Sequence, residues 1–182
     1  MRIIAGKYKN RLLIGPKNIR PTQDIVKKSL FDILGDMSGV SFLDLYAGSG
    51  AISIEALSRG SDKTYLVESD RGCVRDIGTN LEKLNIGQEC RVIELDAVEA
   101  IKKLHAKSEK FDIIFLDPPY YGDLAKKALQ TIGAYDILAP CGWIIVQHYK
   151  KDPVCLEEGS FSVFRKTKYG DTFLSFYKRA EP

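Results

Sequence analysis

The 182-residue chain is 45% hydrophobic and 28% charged, with a formal net charge of +3, the composition of one globular domain with at most a small appendage. No stretch approaches the roughly 20 apolar residues of a membrane span, and Met1 to Lys7 lacks the apolar run of a secretory signal. Four scattered cysteines (Cys73, Cys90, Cys141 and Cys155) form no C-x-x-C pair. A zinc or disulfide framework is therefore not expected; buried thiols and no metal, in a reducing, cytoplasmic compartment, are.

The charge is unevenly spread. Residues 1–28 hold Arg2, Lys7, Lys9, Arg11, Lys17, Arg20, Lys27 and Lys28 against a single acid, Asp24, giving +7 there and, by difference from +3, −4 for the remainder. Such asymmetry points to a polyanion partner at the basic end. Within it, Ile3, Ile4, Leu12, Leu13 and Ile14 alternate loosely with basic residues and Gly6, as in a short hairpin with one apolar face. Such a pair is marginal alone and must dock on the main body or the substrate. Residues 1–20 therefore read as a basic hairpin extension, and 21–182 as the main domain.

A helix follows Arg20-Pro21, with Thr22 as N-cap and Asp24 in the first turn. Val26, Leu30, Ile33, Leu34 and Met37 form its apolar stripe, and Gly35 and Ser38-Gly39 end it. This helix is expected to cover one face of a sheet. Phe42 to Tyr46 reads as a strand holding one acid, Asp44; Ala47-Gly48-Ser49-Gly50 is a tight turn, and Ala51 opens a helix. Glycines there let the backbone approach a ligand that side chains would block.

Lys63 to Val67 is a second strand ending at Glu68-Ser69-Asp70, followed by a helix from Arg71 to Leu84. Arg91 to Leu95 is a third strand, ending at Asp96-Ala97 and a short helix to Leu104. Phe111 to Leu116 is nearly all apolar, as in a central parallel strand, and stops at Asp117-Pro118-Pro119-Tyr120. A helix is expected over about 122–137, a turn at Pro140-Cys141-Gly142 and a strand at Trp143 to Val146. Two closing strands, near 161–166 and 172–177, flank a hairpin turn at Tyr169-Gly170-Asp171. This alternation defines a doubly wound α/β fold, with a mostly parallel sheet covered by helices on both faces. Ligands bind such sheets at the carboxyl edge, where Asp44, Glu68, Asp96 and Asp117 converge.

Glu68 lies about 20 residues past the glycine turn, the spacing at which an acid reaches ribose hydroxyls. A nicotinamide dinucleotide would use the same acid, but Ser53 breaks its third glycine position. The prolines fix the exit of the fourth strand and withhold two donors. They leave carbonyl oxygens beside the Asp117 carboxylate, with the Tyr120 ring after them. Acceptors plus a flat ring suit the exocyclic amine of a planar base.

Asp44, Gly48 and Gly50, with Glu68, Asp96 and Asp117 to Tyr120, resemble the motif set of class I S-adenosylmethionine-dependent methyltransferases acting on exocyclic amines. Met1 to Lys9, Arg20-Pro21-Thr22, Phe42 to Gly50, Glu55 to Gly60 and Tyr169 to Thr172 narrow the resemblance to the RsmD family of bacterial ribosomal RNA guanine-N2 methyltransferases, along nearly the whole chain. The resemblance implies a Rossmann-like, seven-stranded sheet and transfer of a methyl group to the N2 amine of one guanine in small-subunit ribosomal RNA. The substrate is free RNA or the assembled small subunit, and a monomer is expected. Asp44, Tyr46, Ala47, Gly48, Ser49 and Gly50 would hold the methionine part of the cofactor. Glu68 with Ser69 would take the ribose, Asp96 with Ala97 would face the adenine, and Asp117, Pro118, Pro119 and Tyr120 would form the catalytic edge. Arg2, Lys7, Lys9, Arg11, Arg20 and Thr22 would contact RNA.

Gln147-His148-Tyr149 departs from the Glu-His-Ser frequent in the family, so no catalytic role is assigned to position 147. Structural roles are equally open for His148, and Asp171 reads as a turn residue. An adenine-N6 methyltransferase on RNA or DNA and a non-catalytic nucleotide- or RNA-binding module are the rival readings.

Overall fold

The computed structural model describes residues 1–15, 21–119, 123–150, 152 and 157–180. In chain order the elements are α1 (Pro21–Leu34), β1 (Ser41–Asp44), α2 (Ala51–Ser58), β2 (Lys63–Glu68), α3 (Arg71–Leu84), β3 (Cys90–Glu94), α4 (Ala97–Ala106), β4 (Phe111–Leu116), α5 (Leu124–Tyr135), β5 (Leu138–Tyr149), β6 (Glu157–Glu158), β7 (Phe161–Tyr169) and β8 (Thr172–Arg179). They build one sheet in the order β3-β2-β1-β4-β5-β8-β7-β6. β1 to β5 pair in parallel, and β8 runs antiparallel between β5 and β7. Seven of these strands are the expected ones; the two-residue β6 extends the β7 edge.

Strand alternation sorts the core onto the two faces. Phe42, Ile113, Phe115, Ile145, Leu174 and Phe176 meet Val26, Leu30 and Phe31 of α1 on one side. Leu43, Ile114, Leu116, Ile144, Val146 and Tyr177 meet α4 and α5 on the other. Phe31, absent from the expected stripe, is buried, while Ile33 and Leu34 are only partly covered.

Three local expectations shift. α1 begins at Pro21, so Thr22 lies inside the first turn rather than at the N-cap; proline suits the first helical position because its missing N–H has no partner there anyway. β1 ends at Asp44, before Leu45 and Tyr46. Pro140-Cys141-Gly142 is no turn: β5 runs through it, and the register against β4 slips between the pairs Phe111–Leu138 and Ile113–Trp143. A Cβ on Gly142 would sit 2.9 Å from the Asp112 carbonyl oxygen, so only glycine lets the irregular strand lie this close. By contrast, Gly170-Asp171 does form the tight hairpin, with Gly170 at φ +62° and Tyr169 paired to Thr172.

The N-terminal segment docks on α2 and α3. Its ends meet at a single bridge between Arg2 and Leu12. Ile3, Tyr8 and Leu13 are buried against Ala51, Ile54, Leu57 and Ile86; Leu12, by contrast, is 69% exposed. α2 supplies the polar lock. The Ser58 hydroxyl donates to the Ala5 carbonyl and accepts from the Tyr8 N–H, and the Ser58 carbonyl accepts from the Lys7 N–H at 2.7 Å. Gly6, at φ +78°, permits this approach, because a Cβ there would fall 1.7 Å from the Ser58 oxygen.

Candidate active site at the carboxyl edge of the sheet

Asp44, Phe115, Asp117 and Gln147 come off adjacent strands on the α1 side and line one cavity of about 270 Å³. Tyr46, Ala47, Gly48 and Ser49 of the glycine turn form one wall, with Ala51 and Ile52 of α2; Met1, Asp24 and Lys27 close the other side. Of the residues expected at the site, Asp44, Tyr46, Ala47, Gly48, Ser49 and Asp117 thus meet here.

Glu68 stands beside the turn and fastens it. Its carboxylate accepts the Gly48 N–H at 2.8 Å, the Ser69 N–H at 2.8 Å and the Asp70 N–H at 2.9 Å. Gly50, at φ +77°, caps α2; a Cβ there would press on Leu66 at 3.0 Å and Ile77 at 3.3 Å, so this glycine serves helix–strand packing. Gly48 differs: a Cβ on it would meet nothing within 4 Å, which leaves the backbone open to a ligand.

Asp96 caps α4, accepting the Val98 N–H at 2.8 Å, and Ala97 is buried behind it. The Asp96 charge reaches Tyr46, whose hydroxyl is pushed up to about 12, chiefly by burial and then by that acid. Ser69, Asp96, Ala97, Pro118 and Pro119 do not line the cavity. Tyr120 and Arg20 lie outside the described residues, and so do the Thr22 side chain and residue 122, where the helix after Tyr120 is expected to begin; that helix is seen from Leu124 to Tyr135. Arg2, Lys7, Lys9 and Arg11 are all exposed on the docked segment.

Asp44 is 1% exposed. Its Oδ2 accepts from the Ser53 hydroxyl at 2.8 Å, which gives Ser53 a purpose that a third glycine could not serve, while Oδ1 is buried with no partner among the described residues. Burial pushes Asp44 up to about 7 against the pull of Ser53. Asp117 is likewise pushed up to about 7, by burial first and then by the Asp44 charge. Gln147 answers it, donating from Nε2 to Asp117 Oδ2 at 2.9 Å. His148 points elsewhere: its ring nitrogens engage the Tyr149 carbonyl and the Ser175 hydroxyl, and it stacks on Phe173. Burial lowers its pKa. It is a structural histidine.

The sequence reading left out Lys27, Asp24 and Gln147. In the sequence Lys27 counts with the basic residues of the N-terminal segment, but it is 3% exposed. Its Nζ donates to the Arg2 carbonyl at 2.6 Å and stands 3.8 Å from Glu55. Its position in the α1 stripe, one residue after Val26, was the available signal.

The sheet order and the acid-lined carboxyl edge define the class: this is the fold of a class I methyltransferase. Over 98% of its length the chain is 35% identical to the putative rRNA methyltransferase YlbH of Bacillus subtilis, covering 99% of that protein. It is 32% identical to the ribosomal RNA small subunit methyltransferase D of Haemophilus influenzae, over 92% of this chain and 88% of that one. The solved structure of a putative methyltransferase from Escherichia coli superposes with a TM-score of 0.84 at 29% identity, covering 100% of this chain and 99% of the other. The family model described as conserved hypothetical protein 95 matches residues 1–178. The chain therefore belongs to the RsmD family of ribosomal RNA small subunit methyltransferases. No helix among the described residues is long and apolar enough to cross a membrane.

Proposed function

We propose that the protein transfers a methyl group from S-adenosylmethionine to the N2 amine of a guanine in small-subunit ribosomal RNA. The observation that carries the reading is the meeting of Asp44, the glycine turn and Asp117 around one cavity. The residues fit the cofactor: Asp44 Oδ1 is a buried acceptor lacking a donor, as an ammonium group would supply, and Gly48 leaves its backbone bare. Asp44 to Gly50 hold the methionine part, Glu68 with Ser69 the ribose, and Asp96 with Ala97 the adenine. When bound, the cofactor supplies an electrophilic methyl group on a sulfonium.

The chain's own task is to prepare the amine. A guanine N2 lone pair is delocalised into the ring and is a poor nucleophile. Asp117 and a carbonyl of the Pro118-Pro119 turn accept the two amine hydrogens, which favours a pyramidal nitrogen with a localised pair. The rate then comes from positioning and from acceptors fixed in advance. The target base leaves its stack to reach this recess. The exposed Arg2, Lys7, Lys9 and Arg11 hold phosphates and set the register of the RNA without reading bases.

The test supplies radiolabelled cofactor with unmethylated small subunits, naked ribosomal RNA and DNA, and identifies the labelled nucleoside. N2-methylguanosine from subunits or RNA is the expected product. Methyladenine, or label in DNA alone, overturns the guanine reading.

A further inference from the structure

Asp117 does not face the cavity alone. Leu116 pairs with Val146, so the next residues along the two parallel strands, Asp117 and Gln147, stand level. Alternation puts both on the α1 side, with Phe115 and Ile145. On its other flank Gln147 is paired to Leu174 of β8, so its backbone is held from both sides of the sheet. Gln147 is 6% exposed and lines the cavity, where its amide nitrogen meets Asp117 Oδ2 at 2.9 Å.

We propose that Gln147 is the positioning residue for Asp117: its amide holds one carboxylate oxygen, leaves the other for the substrate amine, and keeps the group in its accepting, ionised form. This rests on the reading of Asp117 as the amine acceptor. Besides Asp117, the charged and titratable groups of the residues lining the cavity are Asp44 from β1, Tyr46 beyond it, Asp24 and Lys27 from α1, and the amino group of Met1. Among them Asp44 acts on Asp117, and it repels. Gln147 is the group that draws the Asp117 pKa down against burial and Asp44. The two carboxyls titrate as a coupled pair. An acid whose pKa lies above the working pH is protonated: one oxygen becomes a donor and the other, without the charge, is a weaker acceptor for the amine. Removing the amide donor therefore moves the loss of activity on acidification to higher pH.

The experiment compares wild type, Gln147→Met and Gln147→Glu. Gln147→Met keeps the length without the donor, whereas Gln147→Glu keeps the shape and adds a fourth carboxyl to those of Asp24, Asp44 and Asp117 around the cavity. Methyl transfer to RNA is followed against pH at saturating cofactor, and the carboxyl of Asp117 is titrated by carbon NMR in the ligand-free proteins. In Gln147→Met both the acid limb and the carboxyl titration should move up by about one pH unit, and in Gln147→Glu at least as far. Near the wild-type limb this is a roughly tenfold loss of turnover, recovered at alkaline pH with KM for the cofactor unchanged. A structural role alone would lower turnover equally at every pH, and that result overturns the proposal, as does a carboxyl titration that stays in place. A wild type that labels no RNA overturns the underlying functional reading, while the carboxyl titration still decides whether the amide tunes Asp117.

Discussion

Replacing Glu55 by glutamine probes how the basic segment is tied to the body. Glu55 is wholly buried in α2. It accepts the Ile4 N–H at 2.7 Å, the Ala5 N–H at 3.0 Å and Arg59 Nε at 2.8 Å, with Lys27 Nζ at 3.8 Å. An amide in its place turns one acceptor into a donor, facing either the Ile4 N–H or both the Ala5 N–H and Arg59. It also leaves the buried Lys27 with Asp24, at 3.9 Å, as its remaining carboxylate. Breaking a buried ion pair from one side costs about 3–5 kcal/mol, and each orphaned N–H adds roughly 1–3 kcal/mol. The segment can escape part of this by undocking, which forfeits the burial of Ile3, Tyr8 and Leu13. The expected loss is therefore near the lower end, about 3 kcal/mol, or a fall in Tm of roughly 6–12 °C for a chain of this size. Urea denaturation gives the first number. Hydrogen exchange gives the location, since the Ile4, Ala5, Lys7 and Tyr8 amides should lose protection before the sheet does. A loss below about 1 kcal/mol with those amides still protected would refute the lock, whose worth would then fall within the range of ordinary surface changes.

Charge reversal at Lys7, Lys9 and Arg11, which are exposed and docked on one segment, should weaken RNA binding. It should also make log K against log salt shallower by roughly 2–3, since each lost phosphate contact removes about 0.7–0.9 from the slope; filter binding at four salt concentrations reads it, and an unchanged slope refutes the contact. Asp44→Asn should gain stability relative to wild type as pH rises. Asp44 has a folded pKa near 7 against an ordinary value of 3.8, so between about pH 4 and 7 the native state binds the extra proton and wild-type stability falls with pH. The variant lacks that proton, so its Tm advantage should be larger at pH 7.5 than at pH 5; an advantage independent of pH contradicts the assignment.

Much of the fold was legible because its signals are local. Phe111 to Leu116 is apolar except for Asp112, and α3 occupies the expected residues, with Asp70 as its N-cap and Asn85 at its left-handed end. The Asp44 to Gly50 stretch declared itself by glycines that the structure needs at two different places, one for packing and one for access. What the sequence hid depends on contacts between distant residues. Pro140-Cys141-Gly142 carries the residues of a turn, yet it lies within β5, in the irregular stretch between the β4 pairs at Leu138 and Trp143. Lys27 reads as one more surface base until the Arg2 carbonyl and Glu55 are seen to enclose it. Gln147 belongs to the site only through the register of β4 and β5, which no local pattern states. Had that register been assumed from the parallel order, Asp117 and position 147 would have fallen side by side.

The most direct test of the account is the separation of chemistry from cofactor binding at Asp117. Methyl transfer to RNA is measured for wild type and Asp117→Ala, and cofactor affinity is measured for the same two proteins by calorimetry. Asp117 contacts the amine in this account, whereas Asp44, the glycine turn and Glu68 hold the cofactor. Turnover should therefore fall by at least about 100-fold, with cofactor affinity changed only a few-fold. Equal losses in both would place Asp117 in the cofactor site and contradict the account, as would turnover that survives the substitution.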